Sequence, residues 1–121
     1  MVKITRKAFE SFLAGARSFY PREFLGLWKE EHGVLMDIIL LPMSEYGPSS
    51  ATYNPLMLPL SSGAAGSCHS HPGPSKRPSR GDLMMFSKTG GVHAIAKYPF
   101  AKKEDVSFYD SKGNELEFEI V

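Results

Sequence analysis

With 121 residues, 42% of them hydrophobic and 22% charged, the chain has the size and composition of one soluble globular domain over residues 1–121. A formal net charge of +1 and the absence of a basic stripe give nucleic acid no electrostatic support as a partner. Cys68 is the only cysteine, which excludes an internal disulfide and fits a reducing compartment; with no signal-like N-terminus and no apolar run of membrane-spanning length, a cytoplasmic protein without membrane partners is expected.

Thr5 is placed to cap a helix in which Ala8, Phe9, Phe12, Leu13, Ala16 and Phe19 recur at spacings of three and four, so one face is buried. Pro21 drives the residue before it out of the helical region and ends the helix near Ser18. Two apolar strands follow, Glu23 to Trp28 and Val34 to Leu41, joined by the turn Lys29-Glu30-Glu31-His32-Gly33. They read as a hairpin, central in its sheet and covered on both faces. From Pro42 to Ser62 the chain mixes breakers (Pro42, Gly47, Pro48, Pro55, Pro59) with apolar Tyr46, Tyr53, Leu56, Met57, Leu58 and Leu60. A continuous helix or central strand is excluded there. Either the segment folds onto the core or it forms a lip that grips a partner.

Gly63 to His69 reads as a strand rich in small residues, and Pro72 to Pro78 as a proline-laden loop. Ser79 to Lys88 reads as a helix with Leu83, Met84 and Phe86 as its apolar contacts, stopped by Gly90-Gly91. Val92 to Tyr98 is another strand, ended by Pro99. Val106 to Asp110 and Glu115 to Ile120, joined through Ser111-Lys112-Gly113-Asn114, form a terminal hairpin. Leu116, Phe118 and Ile120 alternate with glutamates, so one face of the last strand is wet.

The chemistry concentrates in the stretch from Ser67 to Asp82. His69 and His71, two apart on a strand, point to one face and can converge on a single ion. Asp82, at the start of the second helix, reaches the same place if the proline loop folds back. Two imidazole nitrogens and one carboxylate oxygen make a ligand set for one divalent metal, zinc first. Three protein ligands leave one tetrahedral position open, as catalytic rather than structural zinc sites do. Cys68 points to the opposite face and reads as buried and inert. The bland alternative has structural histidines, with Ser79 and Asp82 as a variant capping box. His93 reads as packed rather than ligating, and His32 as a solvated turn residue.

His69-Ser70-His71-Pro72, with Ser79 and Asp82 at their spacing, resembles the signature of the JAMM/MPN+ zinc metalloproteases. Pro21-Arg22-Glu23-Phe24-Leu25-Gly26 resembles the P-x-E-x-x-G segment of the same family, at the expected place after the first helix. The resemblance covers nearly the whole chain, whose compact form is similar to the small archaeal members. It implies an α/β fold of the JAB1/MPN type, cytidine-deaminase-like, with a mixed β-sheet flanked by a long first helix and a second helix after the HxHP loop. It implies one Zn2+ per chain on His69, His71 and Asp82, with water as fourth ligand. Glu23 would be the general base and Ser79 a hydrogen-bond donor to the oxyanion; the choice of Glu23 among the glutamates rests on the resemblance alone.

The implied activity is cleavage after the C-terminal Gly-Gly of a ubiquitin-like modifier, freeing it from protein lysines as a deubiquitinase does. The modifier and its conjugates would be the partners, with the loop from Tyr46 to Leu60 as a groove wall or a homodimer surface. Three other readings stand beside it. One is processing of a ubiquitin-like sulfur-carrier precursor. Another is a non-catalytic MPN-type interaction module, which usually lacks the histidines or the aspartate present here. The third is a DNA-repair-associated protein with the same metal motif, against which the charge balance argues.

Overall fold

The computed structural model describes residues 1–40 and 64–121; the expectations placed on Tyr46 to Leu60 lie outside the described residues. In chain order the elements are β1 (Val2–Ile4), α1 (Arg6–Phe19), β2 (Leu25–Glu31), β3 (Val34–Leu40), β4 (Ala64–His71), α2 (Arg80–Thr89), β5 (Val92–Lys97), β6 (Val106–Tyr109), β7 (Glu115–Leu116) and β8 (Phe118–Ile120). The strands form one mixed sheet in the order β7-β6-β5-β4-β2-β3-β1-β8. The expected β2–β3 hairpin is antiparallel, β2 also runs antiparallel to β4, and β4 lies parallel to β5.

Both helices have legible ends. The Thr5 hydroxyl accepts the Ala8 N–H at 3.1 Å, which satisfies one of the donors a helix start leaves open. The buried face of α1 is Ala8, Phe9, Phe12, Leu13 and Ala16, the set its spacing predicts. The helix runs to Phe19, one residue past the expected end, because the restriction imposed by Pro21 falls on Tyr20. At the end of α2, Gly90 has a φ of 66°, a conformation glycine takes without a Cβ penalty.

The layers follow from side-chain alternation. On one face of the sheet, α1 packs against Trp28, Cys68, Ala94, Ala96, Phe108 and their neighbours. The Phe12 ring meets Trp28 edge-on at 5.6 Å, and Trp28 stacks on Phe108 at 5.9 Å. On the other face, Phe86 of α2 packs on Ile95 and Tyr109. Cys68 is fully buried on the α1 side, and burial pushes its thiol pKa well above the ordinary value, so it is the inert residue its register predicts.

The terminal hairpin is only half as expected. β7 pairs with β6, but after Glu117 the chain leaves that edge, and β8 pairs in parallel with β1 at the other edge. Glu117 itself accepts the Val2 N–H at 2.9 Å. One continuous segment therefore serves both edges of the sheet, which must curl around α1 for this to happen. Phe118 follows that curl inward, with its ring 4.9 Å from Phe108 and 6.2 Å from Phe9. No helix among the described residues is long and apolar enough to cross a membrane.

Candidate metal centre

The site is built where β4 ends and α2 begins. His69 and His71 project from the α2 face of β4, and the chain returns through residues 72–79. Hydrogen bonds from the neighbouring strands pin that return. The Tyr109 hydroxyl donates to the Lys76 carbonyl at 2.7 Å, and the Tyr98 N–H donates to the Gly73 carbonyl at 3.2 Å. Ser79 then starts α2 with a reciprocal capping box. Its hydroxyl oxygen accepts the Asp82 N–H at 3.1 Å, and its own N–H donates to Asp82 Oδ2 at 2.8 Å. The cap thus orients the Asp82 carboxylate as well as the helix.

The consequence is a tight triangle. His69 Nε2 lies 3.1 Å from Asp82 Oδ1, His71 Nε2 lies 3.2 Å from Asp82 Oδ2, and the two Nε2 atoms are 3.2 Å apart. Among the described residues, these three side chains are the group of His, Cys, Asp or Glu whose ligand atoms gather within 4.8 Å. Ligands at zinc bond lengths in a tetrahedron stand about 3.3–3.5 Å from one another. The observed separations need to open by only a few tenths of an ångström to hold zinc.

The chemistry of the donor set agrees. His71 Nδ1 is 3.1 Å from the Ser75 carbonyl, which can only accept, so Nδ1 carries a proton and Nε2 is the nitrogen left to face the triangle. A carbonyl partner on the far nitrogen is the usual way a ligating histidine is oriented. Facing a carboxylate oxygen at hydrogen-bond distance, Nε2 carries either a proton or, in its place, a metal cation. Burial lowers the His71 pKa, but the hydrogen bond and charge of Asp82, the Ser75 carbonyl and the Glu23 charge outweigh it, and the net shift is upward. Burial likewise opposes ionisation of Asp82, yet the bonds from His69 and His71 and the Ser79 N–H hold its carboxyl far below the usual carboxylate range. Residues His69, His71 and Asp82 therefore fit a zinc ion, with Asp82 ionised.

Glu23 lies two residues before β2. The β2–β4 ladder ends at Leu25↔His69, and the Ser70 N–H still donates to the Phe24 carbonyl, so Glu23 emerges at the His71 end of β4. Its charge is felt at His71, but its carboxylate is outside the three-ligand cluster. Ser79 is exposed at the rim. Because its oxygen accepts the Asp82 N–H, its own proton remains available to donate. The capping role weighed as the bland alternative is real, and it coexists with the metal triangle.

His93 is buried on β5, next to Ser67 in register. Its Nε2–H donates to the Gly90 carbonyl at 2.7 Å, and its Nδ1 accepts from the Ser67 hydroxyl at 2.7 Å. Its ring stacks on Phe86 at 4.2 Å. Both nitrogens are used, so it is packed and not a ligand, as its position suggested. His32 is exposed in the β2–β3 turn. The residues the sequence reading did not single out are Ser67, Ser75 and Tyr109. They act through a serine hydroxyl, a backbone carbonyl and a phenol, and no spacing rule marks any of them.

Comparison with known proteins agrees with this geometry. The family model described as prokaryotic homologs of the JAB domain matches residues 5–111. A Haloferax volcanii protein described as a "Probable metalloprotease" is 29% identical over 131 residues, spanning 100% of this chain and 80% of the relative. A crystal structure of a JAB1/MPN domain protein from Archaeoglobus fulgidus superposes with a TM-score of 0.79 at 32% identity, covering 100% of this chain and 97% of that one. A structure described as "JAMM: A Metalloprotease-like Zinc Site in the Proteasome and Signalosome" gives a TM-score of 0.78 at 33% identity, covering 100% and 98%. A Desulfitobacterium hafniense protein shares the fold at 22% identity, with a TM-score of 0.73 over 100% of this chain and 93% of that one. The family match over residues 5–111 and the two superpositions at 32% and 33% identity therefore establish that the chain belongs to the JAB domain family in its prokaryotic, JAMM metalloprotease-like form.

Proposed function

We propose that the chain is a zinc-dependent isopeptidase that cleaves after the C-terminal Gly-Gly of a ubiquitin-like modifier, one zinc per chain with water as fourth ligand. The observation that carries the reading is the pairing of a three-ligand triangle with a carboxylate, Glu23, whose charge reaches His71 without its joining the cluster. Among the described residues the cluster has three protein ligands, the number that goes with a catalytic rather than a structural zinc site. When bound, zinc supplies a water of lowered pKa, about 7, and a Lewis acid for a carbonyl oxygen.

The chain's own residues do the rest. Glu23 takes the proton from the attacking water and passes it to the departing lysine amine, so one carboxylate acts first as base and then as acid. The Ser79 hydroxyl donates to the oxygen that gains charge in the transition state. Its position is preorganised by the capping box, so little reorganisation is needed at that moment. Asp82 and the Ser75 carbonyl keep the two imidazoles in place. The modifier as substrate is supported by the likeness of both motifs to the JAMM/MPN+ pattern, and the near-neutral charge offers no support for nucleic acid.

The test is incubation of zinc-loaded protein with a ubiquitin-like conjugate and, in parallel, with a C-terminally extended precursor of the same modifier. Cleavage after Gly-Gly that stops with chelator and returns with zinc is expected on the conjugate. Glu23→Gln should retain zinc and lose at least about a hundredfold in rate. Near-normal turnover by that variant would remove Glu23 as the base. Cleavage of the precursor alone would transfer the assignment to sulfur-carrier processing.

A further inference from the structure

We propose that Ser70, the residue between the two histidine ligands, is the positioning residue for Glu23. The inference rests on the reading of Glu23 as the general base.

Ser70 is 1% exposed and lies on the α1 face of β4, opposite to His69 and His71. It has no path to substrate or metal. What it does is hold Phe24. The Phe24 N–H donates to Ser70 Oγ at 2.8 Å, and the Ser70 N–H donates to the Phe24 carbonyl at 3.0 Å. An ordinary antiparallel ladder would join two such opposed residues by two backbone bonds. Here the hydroxyl takes the place of one carbonyl, at the last step before Glu23. The β2 strand therefore leaves the ladder at Phe24 under side-chain control, and Glu23 follows as the next residue outward.

Phe24 is anchored from its other side as well. Its ring lies 5.3 Å from Phe19 and 6.2 Å from Phe12. It packs so closely on α1 at Gly15 that a Cβ there would stand 2.7 Å from the ring. Ring, N–H and carbonyl are thus all fixed. The neighbouring residue is Glu23, whose charge reaches His71. A general base works only within hydrogen-bond reach of its proton, and small displacements of a catalytic group are expensive in rate. The Ser70 hydroxyl is a side-chain contact that runs from the histidine strand to the glutamate segment, so it couples the height of the base to the height of the ligands.

The experiment compares Ser70→Ala, Ser70→Thr and Ser70→Val in zinc-loaded protein. Thr keeps the hydroxyl, and Val keeps Thr's shape without it. Ser70→Ala and Ser70→Val should lose roughly ten- to a hundredfold in kcat with KM and zinc affinity unchanged, and Ser70→Thr should restore most of the rate. A Ser70→Ala kcat within about twofold of wild type, or equal kcat for Thr and Val, would overturn the proposal. Amide exchange gives a readout independent of turnover. The Phe24 amide should be protected in wild type and in Ser70→Thr, and should exchange faster in Ser70→Ala. Rapid exchange at Phe24 in wild type would overturn the clamp whether or not a substrate is found. A wild type that cleaves no conjugate while Phe24 stays protected would support the clamp and count against the protease reading.

Discussion

Two histidine sites share one face of the β4–β5 pair, and they have opposite characters. At the outer end His69 and His71 meet Asp82, with His71 Nδ1 tied to a carbonyl and both Nε2 atoms turned into the triangle. At the inner end His93 has a carbonyl on Nε2, a hydroxyl on Nδ1 and Phe86 against its ring. The outer site is partly open and faces two carboxylates, so His71 is shifted upward. The inner site is sealed, and burial, only partly offset by the Gly90 carbonyl, brings the His93 pKa down to about 4. The same side chain thus becomes a metal ligand or a neutral strut according to which nitrogen is left uncovered and whether a carboxylate is near.

The contrast can be broken most sharply at the ligands. Four-ligand zinc sites bind with roughly 10–16 kcal/mol, or about 2.5–4 kcal/mol per ligand. Asp82→Ala should therefore weaken zinc by roughly seventyfold to about a thousandfold in a competition titration, whereas His93→Gln, whose amide can still serve Ser67 and Gly90, should leave zinc affinity nearly unchanged. Equal losses for the two variants would erase the distinction between the sites.

Next in size is an acid effect specific to the inner site. A neutral buried His93 titrates near 4 when folded and near 6.5 when unfolded. Between those values the unfolded chain binds more protons, so stability is full above about pH 6.5 and falls as pH drops toward 4. The metal-free wild type should lose about 3 kcal/mol more over that window than His93→Gln, measured by denaturant unfolding. Parallel pH curves for the two proteins would mean that His93 is not the sealed group described here.

The smallest expected effect concerns Ser79, which belongs to the outer site through Asp82. Ser79→Ala removes half of the capping box and should cost about 1 kcal/mol in metal-free protein. Its loss in rate should exceed what that destabilisation explains, because the hydroxyl proton is also lost. A stability loss with intact turnover would leave Ser79 as a cap alone.

Much of this was legible before any fold was known. The spacing of apolar residues in α1, the serine cap of α2, the glycine stop at Gly90 and the same-face placement of His69 and His71 are all local. Each depends on residues within a few positions of one another, where backbone geometry is nearly fixed by residue type. The family motifs named Glu23, though nothing local distinguishes it from the other glutamates. The short β1 at Val2–Ile4 and the division of the last strand between two edges were not legible, because both depend on pairings between the two ends of the chain.

The sequence by itself determined which side chains are available for the chemistry and which strand face carries the histidines. Tertiary structure decided the rest. Cross-strand register brought Leu25 beside His69, the last segment was divided between β6 and β1 at opposite ends of the sheet, and the Ser70 hydroxyl took the Phe24 N–H one residue from Glu23. The reason is that register and closure are properties of pairs of distant segments, and a one-residue slip in β2 would turn Glu23 to the other face without changing any local preference.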